Sequence, residues 1–190
     1  MTTALLLAAG ESRRTSPTLK QLYPIKNKPL VQFMIDKLRE GGLKRVIVVL
    51  GYEAESIKIH IDEKKADVII NENYANGMLT SIKRGLMGGD DHLIMPVDHP
   101  AVRVETIKSV LGLKDRITIP VYRGKRGHPV LIPGKFIEEL RDFDGKTLRD
   151  FIHNKDFSEI CVGDPGVILN FNTMEDFANY FRTRKHIPKS

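Results

Sequence analysis

The sequence has a single cysteine, Cys161, so it cannot form a disulfide bond within the chain, and it suits a reducing compartment. It also lacks any apolar run as long as a membrane span. The short apolar run near its start is not preceded by the basic region of a secretory signal. We therefore expect a cytoplasmic protein without a membrane partner. Cys161 lies in the apolar segment 159–162, which favours a buried structural thiol over a nucleophile.

Two common phosphate-binding motifs are also missing. The dinucleotide fingerprint needs three closely spaced glycines, but the first glycine after Gly10 is Gly41. Gly145 begins a Gly-Lys-Thr sequence, yet Leu140 stands where a Walker loop needs its earlier glycine. A phosphate site in this chain must therefore be built in another way.

The net charge is +6 over 190 residues. No interleaving of aromatic and basic residues accompanies this charge, so we do not expect a nucleic-acid partner. A small anionic substrate and an ordinary solvated surface explain the excess. The length fits one domain with a sizeable core, and no linker or repeat divides it.

Apolar strand-like runs alternate with helical patterns along the chain. The pattern predicts strands at 5–9, 46–50, 67–70, 92–97, 116–122, 129–132, 159–162 and 167–169. It predicts helices at 30–40, 54–61, 78–87, 104–111, 135–140 and 148–153, and a terminal helix capped at Asn172–Thr173. Residues 122–129 suggest a hairpin or an excursion over the site. Continuous apolar strands separated by helices predict an α/β fold with a mostly parallel sheet that is covered on both faces.

The start of the chain carries the strongest chemical signal. The first strand ends at Gly10, and Ser12, Arg14 and Lys20 follow. A glycine lets backbone N–H groups approach a ligand, and mobile cations neutralise phosphate oxygens. This segment therefore predicts a site for nucleotide phosphates, although Gly10 alone would indicate only a tight turn.

Asp98 directly follows the predicted strand at 92–97. Ligands of open α/β sheets bind beyond the carboxyl ends of the strands, which places Asp98 beside the Gly10 segment. Mg²⁺ is typically held by one or two carboxylates together with phosphate oxygens. We therefore expect Asp98 to hold Mg²⁺, the alternative being a turn-forming aspartate shortly before Pro100.

Five segments in order, over nearly the whole chain, resemble MobA-like nucleotidyltransferases and are most similar to molybdenum cofactor cytidylyltransferases. They are LLAAGESRR with Lys20-Gln21-Leu22, NENYANGMLTSIKRGL (71–86), PVDHP (96–100), GKRGHPVLI (124–132) and GVILNFNTMEDF (166–177). Each segment alone is a weak signal, but the ordered set is specific.

This resemblance implies one nucleotidyltransferase domain over residues 1–190, with a Rossmann-like three-layer sandwich of the glycosyltransferase-A type. It also implies Mg²⁺-dependent transfer of a nucleoside monophosphate from an NTP to the terminal phosphate of a molybdopterin-type acceptor, with release of pyrophosphate. The implied catalytic residues are Arg14, Lys20 and Asp98, and the implied nucleotide-binding residues are Leu7, Ala8, Ala9, Gly10, Ser12, Arg14, Lys20, Gly77 and Ser81. A hydroxyl on the helix surface is the alternative for Ser81.

Two segments bear on the nucleotide and the metal. The sequence Ala8-Ala9-Gly10 is similar to the branch that uses CTP, whereas the ending around Asn172 looks more like the guanylyl branch. We therefore favour CTP and keep GTP open. The resemblance makes Asn172 a second metal candidate, although its amide supplies no negative charge. Thr15 and Ser16 stand where the family usually has Met-Gly.

The basic cluster Arg123, Lys125, Arg126 and His128 is a candidate for binding the acceptor phosphate, with His128 acting as neither acid nor base. The alternative for His128 is a structural residue that orders a turn. For His99, a simple loop position is favoured over a hydrogen bond near the metal. Two other functions stay open: transfer to a sugar or polyol phosphate, and a non-catalytic accessory role that delivers molybdenum cofactor to a molybdoenzyme apoprotein.

Overall fold

The structure is a computed structural model that describes residues 1–11 and 18–184. Its strands are β1 (Thr2–Leu7), β2 (Pro24–Ile25), β3 (Lys28–Pro29), β4 (Arg45–Leu50), β5 (Asp67–Ile70), β6 (Asp91–Pro96), β7 (Ile117–Tyr122), β8 (Lys125–Arg126), β9 (Val130–Ile132) and β10 (Phe157–Cys161). Its helices are α1 (Leu30–Glu40), α2 (Ala54–Lys58), α3 (Met78–Gly85), α4 (Val104–Leu111), α5 (Ile137–Asp142), α6 (Leu148–His153) and α7 (Met174–Arg184). Short 3₁₀ turns lie at Lys20–Leu22, Tyr74–Asn76, Gly134–Phe136 and Pro165–Ile168.

One sheet dominates the fold. Its strand order is β10-β7-β9-β6-β1-β4-β5, with β8 paired to β7, while β2 and β3 form a separate small hairpin. The β1, β4, β5 and β6 strands are mutually parallel, as are β7 and β10, and β9 runs antiparallel between β6 and β7. The predicted mostly parallel α/β sheet is therefore confirmed.

Helices cover both faces of this sheet. Along β1, the buried side chains of Ala4 and Leu6 face the layer that contains α1, α2, α4 and α7. The alternate residues Leu5 and Leu7 face the layer that contains α3, α5 and α6. Successive side chains of a strand point to opposite faces, so an unbroken apolar strand requires a helix layer on each side. The predicted three-layer sandwich is present.

Helix α1 shows why much of this fold could be predicted. It begins after Pro29, which cannot donate a backbone hydrogen bond, and ends at Gly41. Its buried residues include Leu30, Met34 and Leu38, spaced four apart on one face. Each buried side chain of this size stabilises the fold by about 1.5–3 kcal/mol.

The predicted hairpin at residues 122–129 is confirmed in part by the pairing of β7 with β8. Arg123 and Gly124 form its two-residue turn with φ values of 48° and 75°. Positive φ at both positions matches the twist of the flanking strands, and glycine adopts it without steric cost.

Two expectations in the last third of the chain are wrong. Residues 167–169 do not form a strand, because the chain makes a 3₁₀ turn at Pro165–Ile168 that Asp164 caps by accepting from Gly166 N–H. Cys161 is exposed rather than buried, because it ends β10, an edge strand of the sheet. Among the described helices, none combines the length and hydropathy that a membrane crossing needs.

Candidate functional site

The carboxyl ends of β4, β1 and β6 lie side by side, and the predicted nucleotide segment begins there. The Ala8 N–H donates to the Val49 carbonyl at 2.9 Å, and the Leu7 carbonyl accepts from the Val97 N–H at 3.0 Å. Leu7, Ala8 and Ala9 are all buried. The backbone that leads into the site is therefore fixed from both neighbouring strands.

Gln21 is a residue of this site that the sequence analysis missed. Its side chain is fully buried, and its Nε2 donates to the carbonyls of Ala8 and Gly10 at 2.9 Å each. A buried amide that bonds two carbonyls holds the turn at Gly10 in one shape. The only signal in the sequence is its position directly after Lys20.

Gly10 is exposed, and a Cβ placed on it would meet no atom within 4 Å among the described residues. Packing against the described residues therefore does not require a glycine here, and these residues leave the space beside its Cα open. The predicted residues Ser12 and Arg14 follow directly, but they lie outside the described residues.

The structure brings Lys20 and Asp98 together, as expected. Lys20 Nζ lies 3.1 Å from Asp98 Oδ2, and His99 Nδ1 lies 3.0 Å from Asp98 Oδ1. Burial alone would raise the pKa of Asp98, but the His99 hydrogen bond and the Lys20 charge outweigh it and lower this pKa to about 2. Asp98 is therefore ionised at neutral pH and can only accept, so His99 Nδ1 carries the hydrogen. The expectation that His99 is a simple loop residue is wrong.

His128 lies against His99, with ring centroids 4.9 Å apart in an edge-on arrangement. Its Nδ1 is shielded from water and has no hydrogen-bond partner among the described residues. Burial and the neighbouring His99 lower the pKa of His128 to about 3, although Asp98 acts in the opposite direction. His128 is consequently neutral at neutral pH and offers no charge to a phosphate.

The two arginines of the predicted acceptor cluster have partners other than His128. Arg126 Nε lies 2.5 Å from Glu159 Oε1, and its guanidinium sits over the Phe157 ring of β10. Arg123 lies over the ring of Tyr122 at the tip of the hairpin, where it is exposed. These partners lie on β7 and β10, and the role of the cluster in binding the acceptor phosphate stays a prediction.

Gly77 and Ser81 lie at the start of α3. Gly77 has a φ of 104°, which favours glycine, and a Cβ there would meet no atom within 4 Å in the described ranges 1–11 and 18–184. Ser81 is 3% exposed, so it is not a helix-surface residue, and its Oγ accepts from Asn71 Nδ2 at 3.0 Å. Asn71 also donates to Thr80 Oγ1 at 2.9 Å. Asn71, which sequence analysis gave no role, fixes this segment at the end of β5.

A backbone hydrogen bond brings the Asn172 segment next to Asp98. The N–H of the preceding residue, Phe171, donates to the Asp98 carbonyl at 2.8 Å. Thr173 Oγ1 accepts from Asp176 N–H, and Asp176 Oδ2 accepts from Asn172 N–H and Thr173 N–H, which gives α7 the predicted cap. In the described part of the chain, no group of three or more His, Cys, Asp or Glu residues could hold a metal ion. A site with Asp98 as its one carboxylate therefore needs oxygen ligands from the substrate.

The family model of the MobA-like NTP transferase domain matches residues 4–159 of the chain. The chain belongs to this family. It is 29% identical over 165 residues to the bifunctional protein GlmU of Enterococcus faecalis, a match that covers 82% of this chain and 34% of GlmU. The chain thus spans about a third of the length of this curated relative.

Two further relatives match the chain over most of their length. It is 28% identical over 142 residues to nicotine blue oxidoreductase of Paenarthrobacter nicotinovorans, covering 68% of this chain and 70% of that protein. The crystal structure of Rv0371c from Mycobacterium tuberculosis superposes with a TM-score of 0.81 and 25% identity, covering 95% of this chain and 97% of that one. Rv0371c has also been solved in complex with manganese, with a TM-score of 0.76, 25% identity and coverage of 98% and 99%.

Proposed function

We propose that this protein is a cytoplasmic, Mg²⁺-dependent nucleotidyltransferase that transfers CMP from CTP to the terminal phosphate of a molybdopterin-type acceptor. The observation that carries the proposal is the ionised Asp98, which follows β6 and pairs with Lys20, the neighbour of the Gln21 that bonds the Gly10 carbonyl. Membership of the MobA-like NTP transferase family supports the reaction class.

The reaction needs positioned charges rather than a protein nucleophile. An oxygen of the acceptor phosphate forms a bond to the α-phosphorus of the NTP, and the bond from the α-phosphorus to the bridging oxygen breaks. Pyrophosphate leaves with that electron pair. Lys20 and Arg14 stabilise the charge that develops on it, and the backbone fixed by Gln21 holds the phosphates in line.

The residues at this site fit Mg²⁺. Each carboxylate oxygen of Asp98 uses one hydrogen bond, to Lys20 or His99, and retains a further lone pair for a cation. Asn172 would offer a second oxygen from the segment that is bonded to the Asp98 carbonyl. The manganese complex of Rv0371c supports the use of a divalent ion. When bound, Mg²⁺ supplies charge stabilisation at the phosphate oxygens.

The choice of base and acceptor rests on finer features. Ala9, buried at the end of the first strand, narrows the space beside the base and favours the pyrimidine of CTP over the purine of GTP. Arg123 on the exposed hairpin is the free end of the basic cluster that could reach an acceptor phosphate. A sugar or polyol phosphate would use the same Gly10 backbone and Asp98, so it remains the second acceptor class to be tested.

The test is pyrophosphate release with each of the four NTPs and with molybdopterin, a sugar phosphate and a polyol phosphate as acceptors. We expect release with CTP and molybdopterin, which the Asp98→Asn variant lowers by orders of magnitude because it loses the anchor for the cation. NTP binding without metal should survive in Asp98→Asn, since Lys20 is freed from its ion pair. Thermal unfolding of both proteins is the control.

Other outcomes point elsewhere. Release with a sugar or polyol phosphate alone would replace molybdopterin as the acceptor. Loss of folding in Asp98→Asn, without a change in metal dependence, would make Asp98 a turn residue. A wild-type protein that binds molybdenum cofactor but releases no pyrophosphate with any NTP would be an accessory protein for a molybdoenzyme.

A further inference from the structure

The segment from Asp164 to Phe171 follows the part of the chain that matches the family model. It forms backbone hydrogen bonds with two residues of the site. Phe171 N–H donates to the Asp98 carbonyl at 2.8 Å, and the Val167 carbonyl accepts from His128 N–H at 2.8 Å. The carboxylate of Asp164, which is 2% exposed, accepts from Arg103 N–H at 2.7 Å and anchors the segment to the start of α4. This segment therefore supports the backbone of both Asp98 and His128.

A line of aromatic rings continues from this segment to the backbone of Lys20. Phe171 meets the fully buried Phe177 of α7 edge-on, with centroids 5.2 Å apart. Phe177 in turn stacks on Tyr23 with centroids 4.4 Å apart and planes 23° apart. Tyr23 N–H donates to the Lys20 carbonyl at 3.1 Å, and the Tyr23 carbonyl accepts from Leu30 N–H at 2.8 Å.

The rings of Phe171, Phe177 and Tyr23 thus connect the backbones of both partners of the site's ion pair. Asp98 and Lys20 are 78 positions apart in the sequence, so contacts between distant segments set their separation. Gln21 ties the Lys20 segment to the carbonyls of Ala8 and Gly10, and the aromatic rings form a second connection. Phe177 touches both rings that carry the backbone contacts, Phe171 towards Asp98 and Tyr23 towards Lys20. Lysine has a long, flexible side chain, so the position of its backbone decides where its ammonium group can reach.

We propose that Phe177 is a positioning residue that sets the geometry of Lys20 and Asp98 for nucleotidyl transfer. The effect on catalysis rests on the proposed function, whereas the effect on the site's backbone does not. Aromatic pairs have preferred offset and edge-on geometries, so replacing the ring removes an orientation as well as volume.

The test compares Phe177→Leu with Phe151→Leu. Phe151 is 2% exposed, lies in the opposite helix layer and meets Phe143 edge-on at 5.4 Å, so the same substitution there makes a matched change in a core without contact to the site. We expect both variants to lower the melting temperature. Only Phe177→Leu should speed amide hydrogen exchange in peptides that cover residues 18–23 and 98–101.

Activity provides the second readout. Small misplacements of reacting groups have large effects on rate, so we expect Phe177→Leu to lower kcat roughly ten- to a hundredfold with a smaller change in KM. Phe151→Leu should keep kcat near the wild-type value at a temperature where both variants are folded. Equal effects of the two variants on exchange and on kcat would overturn the proposal, as would unchanged exchange in Phe177→Leu.

A second pair of variants covers the case in which Phe177→Leu does not fold. Tyr23→Leu removes the other ring of the stack, and Tyr23→Phe keeps it. The proposal requires faster exchange in residues 18–23 for Tyr23→Leu and restored protection for Tyr23→Phe, and it fails if the two behave alike. Should the wild-type protein release no pyrophosphate, the proposed function fails, while the exchange data still decide whether Phe177 positions the site.

Discussion

The neutral, partly buried His128 makes the protein sensitive to acid well above the range in which carboxylates titrate. The unfolded chain binds a proton at this histidine near pH 6.5, whereas the folded protein does so only near its pKa of about 3. Between these values the unfolded state holds more protons, so the free energy of unfolding falls as the pH falls. For one such group, linkage gives a loss of about 2 kcal/mol between pH 7 and pH 5.

The perturbation is the substitution His128→Gln, which removes the titrating group. We expect the wild-type protein to lose about 2 kcal/mol more than His128→Gln between pH 7 and pH 5. Asp98 does not enter this window, because a pKa lowered to about 2 gives stability that is lost only below the unfolded value of 3.8. Burial also lowers the pKa of His92, but that residue is present in both proteins and cancels in the comparison.

The assay is urea unfolding followed by far-UV circular dichroism at the two pH values. His60→Gln is the matched control, because it makes the same substitution at an exposed histidine just after α2, outside the site. Whatever His128→Gln costs at pH 7, only the difference between the two pH values tests the reasoning. If wild type and His128→Gln lose the same free energy on acidification, His128 is not held neutral by its surroundings.

Three further substitutions test single contacts. Lys20→Ala should raise the Kd for NTP roughly ten- to a hundredfold by calorimetry, because hydrogen bonds to charged groups contribute about 1.5–3 kcal/mol; unchanged affinity in a folded variant would remove this role. Gly51→Ala should cost about 1–3 kcal/mol in equilibrium unfolding, since its Cβ would lie 2.6 Å from Tyr74 Cβ, and no loss would mean that the Tyr74 ring moves away freely. Gly127→Ala should destabilise the protein more than Gly51→Ala, because its Cβ would lie 2.0 Å from the Val167 carbonyl oxygen, and a smaller effect in the same assay would contradict this.

The parts of the fold that could be predicted are those that local chemistry decides. Helix α1 has the predicted bounds because Pro29 and Gly41 end the pattern on both sides. The apolar run at 167–169 was wrongly predicted to be a strand. Asp164 caps a 3₁₀ turn there and accepts from Arg103 N–H at the start of α4. Cys161 was misplaced because hydropathy does not show which strand lies at the edge of a sheet.

The candidate site likewise has some features that the local sequence predicts and others that it does not. The proximity of Asp98 and Lys20 could be predicted because Asp98 follows an apolar strand, Lys20 follows a glycine turn, and the carboxyl ends of parallel strands share one edge. The buried roles of Gln21, His99 and Asn71 depend on partners that fold against them, and residue type and spacing alone do not show such partners. Likewise, the sequence does not show that Arg126 pairs with Glu159 of β10, because this contact joins segments 33 positions apart.

The charges of the described site indicate that cations in the segment between Gly10 and Lys20 contribute to substrate binding. Lys20 and Asp98 form an ion pair with side chains only 15% and 19% exposed, so their charges largely cancel as seen from solvent. His128 adds no charge at neutral pH. A triphosphate carries several negative charges, so Lys20 alone does not balance them and further cations have to contribute to its attraction to this edge of the sheet. The sequence supplies Arg13 and Arg14 between Gly10 and Lys20, and we expect metal-free NTP binding to depend on them and to weaken with rising salt.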